Sequence, residues 1–143
     1  MFSSSKKLFY AVEAVLYIAY NAGNGPISSR DIAAKQNLPP RYLEQIMQKL
    51  VRAGILRGVR GPNGGYVLAR ERRRITVGEI CEVLVQDKDD DQSEEAGMPL
   101  GRQIVQPVWD AAQAQMMNHL RQVNLAELCD MALQKNIKKA SEE

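Results

Sequence analysis

Residues 28–69 carry the pattern from which the architecture follows: SSRDIAAKQNLPPRYLEQIMQKLVRAGILRGVRGPNGGYVLA. Ser28 is suited to cap a helix because its side-chain oxygen can accept a hydrogen bond from an N–H of the first turn, although Ser29 or Asp31 could take this role. The helix that follows is predicted to span Ser29–Gln36. It opens a helix-turn-helix, since a second helical pattern comes directly after it.

A break separates the two helices. The sequence Asn-Leu-Pro-Pro at 37–40 ends the first one, because proline lacks a backbone donor and restricts the residue before it. Proline is tolerated in a first helical turn, so the second helix is predicted from Pro40 to Ala53, with Gly54 capping its end. Its buried stripe is predicted to be Leu43, Ile46, Met47 and Leu50.

Two short β-type segments come next. They are Ile55–Arg60 and Gly65–Ala69, and the sequence GPNG at 61–64 joins them. Its Asn-Gly pair is a strong signal for a tight turn, because both residue types accept a positive φ. Helix, turn, helix and a basic hairpin form the order of a winged helix-turn-helix.

Two further helices are predicted on either side of this region. The first covers about residues 4–22, and a short one covers Thr76–Val85, with Thr76 as its cap and Glu79 completing a capping box. Residues 86–97 then contain six acids and one lysine. A solvated, flexible linker is expected there, since the acids lack the spacing of an EF-hand metal loop.

The C-terminal region is predicted to be helical. A long helix is expected over Pro99–Leu120, with a kink or a late start because Pro107 falls inside it. Asn124 is placed to cap a last helix over Leu125–Ile137. The tail, residues 138–143, is expected to be frayed.

The charge is distributed unevenly along the chain. Residues 1–75 hold 13 Lys/Arg and 4 Asp/Glu, a net charge of +9, whereas residues 76–143 hold 6 Lys/Arg and 13 Asp/Glu, a net charge of −7. A basic half indicates contact with a polyanion. The acidic half is expected to serve another purpose, such as self-association or sensing.

Composition excludes several classes of protein. With 143 residues, 45% of them hydrophobic, the chain has the size and composition of one globular domain and is not disordered throughout. Glu13 interrupts the N-terminal apolar stretch, which therefore favours an amphipathic helix over a signal peptide. Two cysteines do not form a disulfide scaffold, so a cytoplasmic location is expected. No spacing typical of a catalytic triad, phosphate loop or zinc site occurs, so no enzymatic activity is expected.

Two segments present side chains suited to DNA. The helix Pro40–Ala53 carries Arg, Gln and Glu side chains that can contact base edges, and a recognition helix inserts its N-terminal residues into the major groove. The hairpin carries Arg57 and Arg60 beside glycines that permit close approach to a duplex. An arginine on such a hairpin tip can enter a narrow minor groove.

Four sequence motifs extend this interpretation. They are Tyr-Ala-Val at 10–12, Tyr-Leu-Glu-Gln at 42–45, VRGPNGGYVL at 59–68 and Ile-Thr-Val-Gly-Glu-Ile at 75–80. Together they resemble the Rrf2 family of bacterial transcription regulators over about residues 7–84, and more loosely beyond. The resemblance implies a homodimeric winged-helix protein that binds double-stranded DNA, with the motif at 42–45 in the major groove and Arg60 in the minor groove.

The resemblance also indicates which residues do this. Family members often have an arginine that contacts the DNA backbone at the position before Tyr10. This chain has Lys-Leu-Phe at 7–9 there, so Lys6 or Lys7 is expected to replace that arginine. The residues expected at the DNA are Lys7, Ser28, Arg41, Tyr42, Glu44, Gln45, Lys49, Arg57, Arg60, Gly61, Asn63 and Gly64. The residues expected at the dimer interface, on the family's dimerisation helix, are Ile104, Val108, Trp109, Ala112 and Met116.

The resemblance does not extend to an iron–sulfur site. Cluster-binding members place three cysteines in the loop before the dimerisation helix, and residues 86–97 contain none. The chain offers Cys81, Cys129 and His119, and each cysteine falls in an apolar helical pattern typical of a core residue. No metal and no cofactor are therefore expected, and the loop resembles that of the cluster-free members.

These observations combine into one interpretation. The fold is expected to be mainly α with a small β-hairpin: a winged helix-turn-helix domain over residues 1–84, an acidic flexible loop over 85–97, and a dimerisation helix with a C-terminal helix over 98–143. The function expected is that of a repressor that binds a near-palindromic operator as a homodimer. Further partners left open are a regulatory protein or a small-molecule effector, with no membrane involved.

Two alternatives remain at this point. In one, the winged helix is a scaffold and a partner enzyme docks on the acidic half, which makes the chain a protein-interaction module. In the other, Cys81 or Cys129 is a reactive thiol that senses redox state.

Overall fold

The computed structural model describes residues 2–86 and 97–142. Within them the chain forms α1 (Phe2–Tyr20), α2 (Ser29–Gln36), α3 (Pro40–Arg52), β1 (Leu56–Val59), β2 (Gly65–Leu68), α4 (Val77–Val85), α5 (Gln106–Leu120) and α6 (Leu125–Gln134). Short 3₁₀ turns cover Ala22–Asn24, Arg72–Arg74 and Ala140–Glu142, and a π-helical segment, Leu100–Val105, leads into α5. The predicted fold class, mainly α with one β-hairpin, is confirmed. The predicted acidic loop lies outside the described residues, apart from its ends.

Three of the predicted helix caps are present. In each, the cap oxygen accepts a hydrogen bond from the backbone N–H three residues later, which satisfies a donor that the first turn leaves free. The pairs are Ser28 with Asp31 at 3.1 Å, Thr76 with Glu79 at 3.1 Å, and Asn124 with Glu127 at 3.0 Å. The predicted reciprocal half of the Thr76 capping box is wrong, because the Glu79 carboxylate instead accepts a hydrogen bond from Arg70 at 2.5 Å.

One hydrophobic core holds the N-terminal helices, the hairpin and α6 together. The predicted stripe of α3 lies in it, with Leu43, Ile46, Met47 and Leu50 each 1% exposed or less. From α1 the core receives Val15 and Ile18. It also contains Leu125 and Cys129 of α6.

The hairpin differs from the predicted turn. The strands pair antiparallel from Leu56 opposite Leu68 to Val59 opposite Gly65, which leaves a five-residue loop between them. A hydrogen bond of 3.0 Å from the Gly64 N–H to the Gly61 carbonyl closes a turn. The central residues of this turn are Pro62 and Asn63, since proline favours the first central position, so the turn is not centred on the predicted Asn-Gly pair. Positive φ occurs at Gly61 and not at Asn63.

The long C-terminal helix has the predicted late start. α-Helical hydrogen bonding starts only at Gln106, next to Pro107, and the preceding segment is π-helical and continues into α5 with helical backbone at Val105 and Gln106. The proline thus lies where the hydrogen-bond pattern of the helix changes. Only Met117 of α5 is buried, in a small cluster with Val77 and Cys81 of α4. None of the helices in the described ranges is long and apolar enough to cross a membrane.

The C-terminal tail is ordered against α1, so the expectation of a frayed tail is wrong as far as residue 142. The Tyr20 hydroxyl donates a hydrogen bond to the Ile137 carbonyl. The backbone N–H of Ala140 donates to the side-chain oxygen of Asn21, at 2.7 Å. Asn21 is 1% exposed, so this contact supplies a buried oxygen with a hydrogen-bond partner.

Candidate nucleic-acid interface

The N-terminal half of α3 presents its polar side chains to solvent. Arg41, Tyr42 and Gln45 are exposed, and Glu44 is half-buried. This follows from the helical period, because the four buried residues of α3 occupy the opposite face. The predicted recognition surface of the helix is therefore accessible to a duplex.

The hairpin, here called the wing, is fixed close to the start of α2. The Ile27 N–H donates to the Tyr66 carbonyl at 3.0 Å, and the Tyr66 N–H donates to the Ile27 carbonyl at 2.8 Å. The chains approach closely at Gly65, where a Cβ would lie 2.4 Å from the Ile27 carbonyl. Glycine is required at this position because no side chain fits between the two backbones.

A groove runs between α3 and the wing. Its lining residues are Ser28, Ser29, Glu44, Gln48, Val51, Gly58, Val59, Arg60, Gly61, Gly64, Gly65 and Tyr66. Five residues predicted to contact DNA are thus brought together from three separate segments: Ser28, Glu44, Arg60, Gly61 and Gly64. The α2 start, α3 and the wing form one continuous surface.

The other predicted DNA residues lie around this groove. Arg57 and Asn63 are exposed on the wing, and Lys49 is half-buried on α3. Lys7 lies on α1 and does not line the groove. Arg70, which lies just after the wing, forms an ion pair with Glu79 of α4 at 2.5 Å.

Glu44 is the centre of a hydrogen-bond network in the groove. Its Oε1 accepts from the Tyr66 hydroxyl at 2.6 Å and from Gln48 Nε2 at 3.1 Å, and its Oε2 accepts from the Ser29 hydroxyl. Gln48 Nε2 also donates to the Tyr66 hydroxyl oxygen at 3.0 Å. One carboxylate therefore links α2, α3 and β2.

The hydrogen-bond network shifts the pKa values of both Glu44 and Tyr66. Burial alone would raise the pKa of the Glu44 carboxyl, but the hydrogen bonds from Ser29, Tyr66 and Gln48 outweigh it and hold the pKa below its usual value. Burial, together with the bond to Glu44, raises the pKa of Tyr66 to about 12. At neutral pH the pair is a carboxylate and a neutral phenol that donates to it.

Ser29, Gln48 and Tyr66 were missed as members of the site. Two signals could have indicated them. Gln48 lies one helical turn after Glu44, so the two share a face of α3. Tyr66 belongs to a hairpin packed on a core, and a buried tyrosine hydroxyl needs a hydrogen-bond partner. Ser29 could not be found in this way, since its contact depends on how α2 crosses α3.

The predicted dimerisation residues lie on an exposed apolar surface. We call this surface the α5 face, and its exposed large apolar residues are Leu100, Ile104, Val105, Val108, Trp109 and Met116. Ala112 is exposed beside them. Ile104 and Val108 are 63% and 60% exposed. Apolar side chains this exposed and this close together are unusual on a monomeric surface.

The two cysteines are buried in separate helices. Cys81 lies in α4 and Cys129 in α6, and both are reduced. Burial raises the pKa of the Cys81 thiol to about 11. It also raises that of Cys129, against a smaller opposing effect of Arg72. Across the part of the chain that the structure describes, no group of three or more His, Cys, Asp or Glu residues is placed to hold a metal ion.

Comparison with known proteins gives consistent matches. Residues 4–131 match the family Rrf2, described as iron-dependent transcriptional regulators. The HTH-type transcriptional regulator IscR of Cronobacter sakazakii is 31% identical over 121 residues, which cover 83% of this chain and 75% of that protein.

Solved structures agree with the sequence matches. IscR of T. potens has a TM-score of 0.69 and 31% identity, covering 95% of this chain and 92% of its own. CymR, the global cysteine regulator of B. subtilis, has a TM-score of 0.64 and 32% identity, covering 87% and 94%. These relatives are regulators and not enzymes.

Proposed function

Because this chain belongs to the Rrf2 family of transcriptional regulators, we propose that it represses transcription as a homodimer bound to a near-palindromic DNA site. The observation that carries the proposal is the groove between α3 and the wing. It brings Glu44 and Gln48 of α3, side-chain types that can contact bases, beside Arg60 at the tip of the wing. A chromosomal target and two free cysteines support a cytoplasmic location for this function.

The proposed roles follow from position. Arg41, Tyr42 and Gln45 lie on the exposed N-terminal half of α3, which enters the major groove in helix-turn-helix proteins. Arg60 lines the groove from the wing, from which it reaches the minor groove. The remaining predicted residues, Lys7, Ser28, Lys49, Arg57, Gly61, Asn63 and Gly64, hold the phosphate backbone or allow it to approach. Glu44 affects which DNA sequence α3 prefers.

The α5 face supports the homodimer. Its apolar residues extend over the π-helical segment and α5, whereas only Met117 of α5 is buried within the chain. A second copy would cover this surface with an identical one, which is the usual arrangement of a two-fold dimer. The two recognition helices would then lie about 34 Å apart, one turn of the duplex.

The residues present do not fit an iron–sulfur cluster, although the family is described as iron-dependent. Such a cluster needs four thiolate or imidazole ligands. The whole chain has two cysteines and one histidine, and both cysteines are buried in different helices. We therefore propose that this chain works without a cluster and belongs to a branch of the family that responds to another signal.

The thiol alternative has less support. The raised pKa values of Cys81 and Cys129 keep both thiols protonated near neutral pH, and burial limits access to them. A thiol-specific reagent at pH 8 should therefore label the native chain far more slowly than the unfolded chain. Rapid labelling of either cysteine in the native chain would restore the redox-sensor alternative.

The test of the proposed function is duplex binding as a function of salt. The full chain should select a specific duplex from fragmented genomic DNA, and its affinity should fall linearly with salt on a double-logarithmic plot, by about 0.9 per phosphate neutralised. Arg60→Ala should weaken binding by about 1–3 kcal/mol and reduce that slope. Lys135→Ala, directly after the end of α6, removes the same charge away from the groove and should change neither quantity.

A second variant tests sequence preference. Glu44→Ala should mainly relax the preference for one DNA sequence, because the residue faces the recognition surface without neutralising phosphate.

Duplex binding that is absent or independent of salt would contradict the proposal and favour the protein-interaction module. The genes beside the selected fragments would indicate which small molecule or regulatory protein acts as effector.

A further inference from the structure

The groove contains an acidic side chain whose carboxylate is held by hydrogen bonds within the chain. Both oxygens of Glu44 accept hydrogen bonds within the chain, from Tyr66 and Gln48 on one side and from Ser29 on the other. A carboxylate in a recognition helix can accept from the amino group of cytosine, and it repels phosphate. The three donors occupy three of its roughly four lone-pair sites, so they fix the position of the carboxylate and leave Oε2 able to accept from a base.

Tyr66 is the donor that connects this carboxylate to the wing. It lies on β2, is 7% exposed, and its hydroxyl reaches Glu44 at 2.6 Å. The wing itself does not depend on that bond. The two backbone hydrogen bonds between Ile27 and Tyr66 fix β2 beside α2, and the aromatic ring packs in the core. Loss of the hydroxyl alone should therefore loosen Glu44, which keeps its bonds to Gln48 and Ser29, and leave the wing in place.

We propose that Tyr66 is a positioning residue for sequence recognition: with Ser29, it holds the Glu44 carboxylate in place and so sets the base preference of α3 without contacting DNA. This inference rests on the DNA-binding function proposed above. A neutral phenol and an ionised carboxylate at neutral pH are the forms that this bond requires. Charge-assisted hydrogen bonds of this kind are the stronger ones in proteins.

The experiment is a double-mutant cycle on base preference. The wild-type chain and Glu44→Ala would each select duplexes from a random pool, and the base pair at which the two selections differ most would define a pair of probe duplexes. The ratio of affinities for the two probes is then measured for wild type, Tyr66→Phe, Glu44→Ala and the double variant. This ratio reports preference and is insensitive to the fraction of folded protein.

Tyr66→Phe should change the ratio about fivefold in the wild-type background, within the range that one base contact contributes, and should leave it unchanged in the Glu44→Ala background. Ser29→Ala should shift the ratio in the same direction, which keeps the test available if the tyrosine variant folds poorly. Tyr17→Phe removes a hydroxyl on α1 while keeping the ring beside Lys35, and should have no effect.

Several outcomes would overturn the inference. An equal effect of Tyr66→Phe in both backgrounds would mean that the tyrosine acts on its own, and no effect in either would mean that it does not position Glu44. Identical selections by wild type and Glu44→Ala would remove the carboxylate from sequence recognition. A wild-type chain that selects no duplex would instead contradict the proposed function, so the two failures are distinguishable.

Discussion

The helices α3 and α5 have similar lengths, 13 and 15 residues, but their apolar side chains have opposite fates. In α3, four large apolar residues are buried inside the chain, and its polar face is left for a ligand. In α5 one is buried, and a row of others is exposed. A stripe of apolar residues at helical spacing therefore indicates that a helix packs against something. It does not show whether that is the same chain or another molecule.

The winged helix and α5 meet at a packed contact, which we call the joint. In it, residues 77–78 of α4 lie against residues 121–123 at the end of α5. The end of α5 rests on α4, where Gly78 lies so close to Arg121 that a Cβ would be 2.7 Å from the Arg121 backbone nitrogen. Nearby, the Val77 N–H donates to the Val123 carbonyl at 2.8 Å. The end of α5 is thus attached to the winged helix, whose core also includes residues of α6. Changes in the core, the face and the joint should have distinct consequences.

The largest effect is expected in the core. Leu50→Ala removes a fully buried side chain of α3 and should lower the free energy of unfolding by about 2–5 kcal/mol, because a cavity remains. Urea unfolding at several protein concentrations measures it. The loss should be similar at every concentration, whereas any loss caused by Val108→Ala should vary with concentration. If the stability losses of the two variants depended on protein concentration in the same way, α3 and α5 would not differ in where their apolar residues pack.

The next effect concerns association. Val108→Glu places a charge in the α5 face and should weaken self-association by about 2–3 kcal/mol, roughly 30- to 160-fold, because the charge would be buried without a partner. Sedimentation equilibrium measures the dissociation constant. Gln134→Glu adds the same charge at an exposed polar position of α6, outside the α5 face, and should have much less effect. A monomeric wild-type chain at micromolar concentration would show that α5 has a different partner.

The joint should be sensitive to a single methyl group. Gly78→Ala is expected to cost about 1–3 kcal/mol of unfolding free energy, because the backbone of Arg121 has to move to admit the Cβ. Thermal unfolding measures this cost. Gly23→Ala is the matched control, since its Cβ would meet no atom within 4 Å. A Gly78→Ala variant as stable as wild type would mean that the joint is loosely packed.

The smallest effect is expected at the ion pair beside the joint. Glu82 accepts from Arg121 across α4 and the end of α5, and both side chains are more than a third exposed. Glu82→Gln should therefore cost at most about 1 kcal/mol, and less in high salt, since solvent screens the pair. Unfolding at low and high salt tests this. A large loss that persists in high salt would indicate a role in packing.

Local signals predicted much of this architecture. The caps at Ser28, Thr76 and Asn124 depend on residues three positions away, so the sequence alone could place the starts of α2, α4 and α6. The helical period likewise predicted the buried stripe of α3. In the wing, the strands were predicted correctly, but the competing effect of Pro62 on the turn was overlooked.

Contacts between distant segments could not be predicted in the same way. The bond from Ala140 to Asn21 joins residues 119 positions apart, and nothing near either one indicates it. The network around Glu44 likewise depends on the packing of α2, α3 and β2. A helical projection shows which face of α3 carries Glu44, but not that donors from two other segments converge on it.

In the proposed complex the basic winged helix binds DNA and the α5 face pairs two copies on it. Sedimentation of the full chain with its selected duplex, at several salt concentrations and beside the Val108→Glu variant, tests both parts at once. We predict two chains per duplex, affinity that falls steeply with salt, and weakened binding by the variant to the full site but not to a half-site. One chain per duplex, or binding that salt does not change, would contradict this proposal.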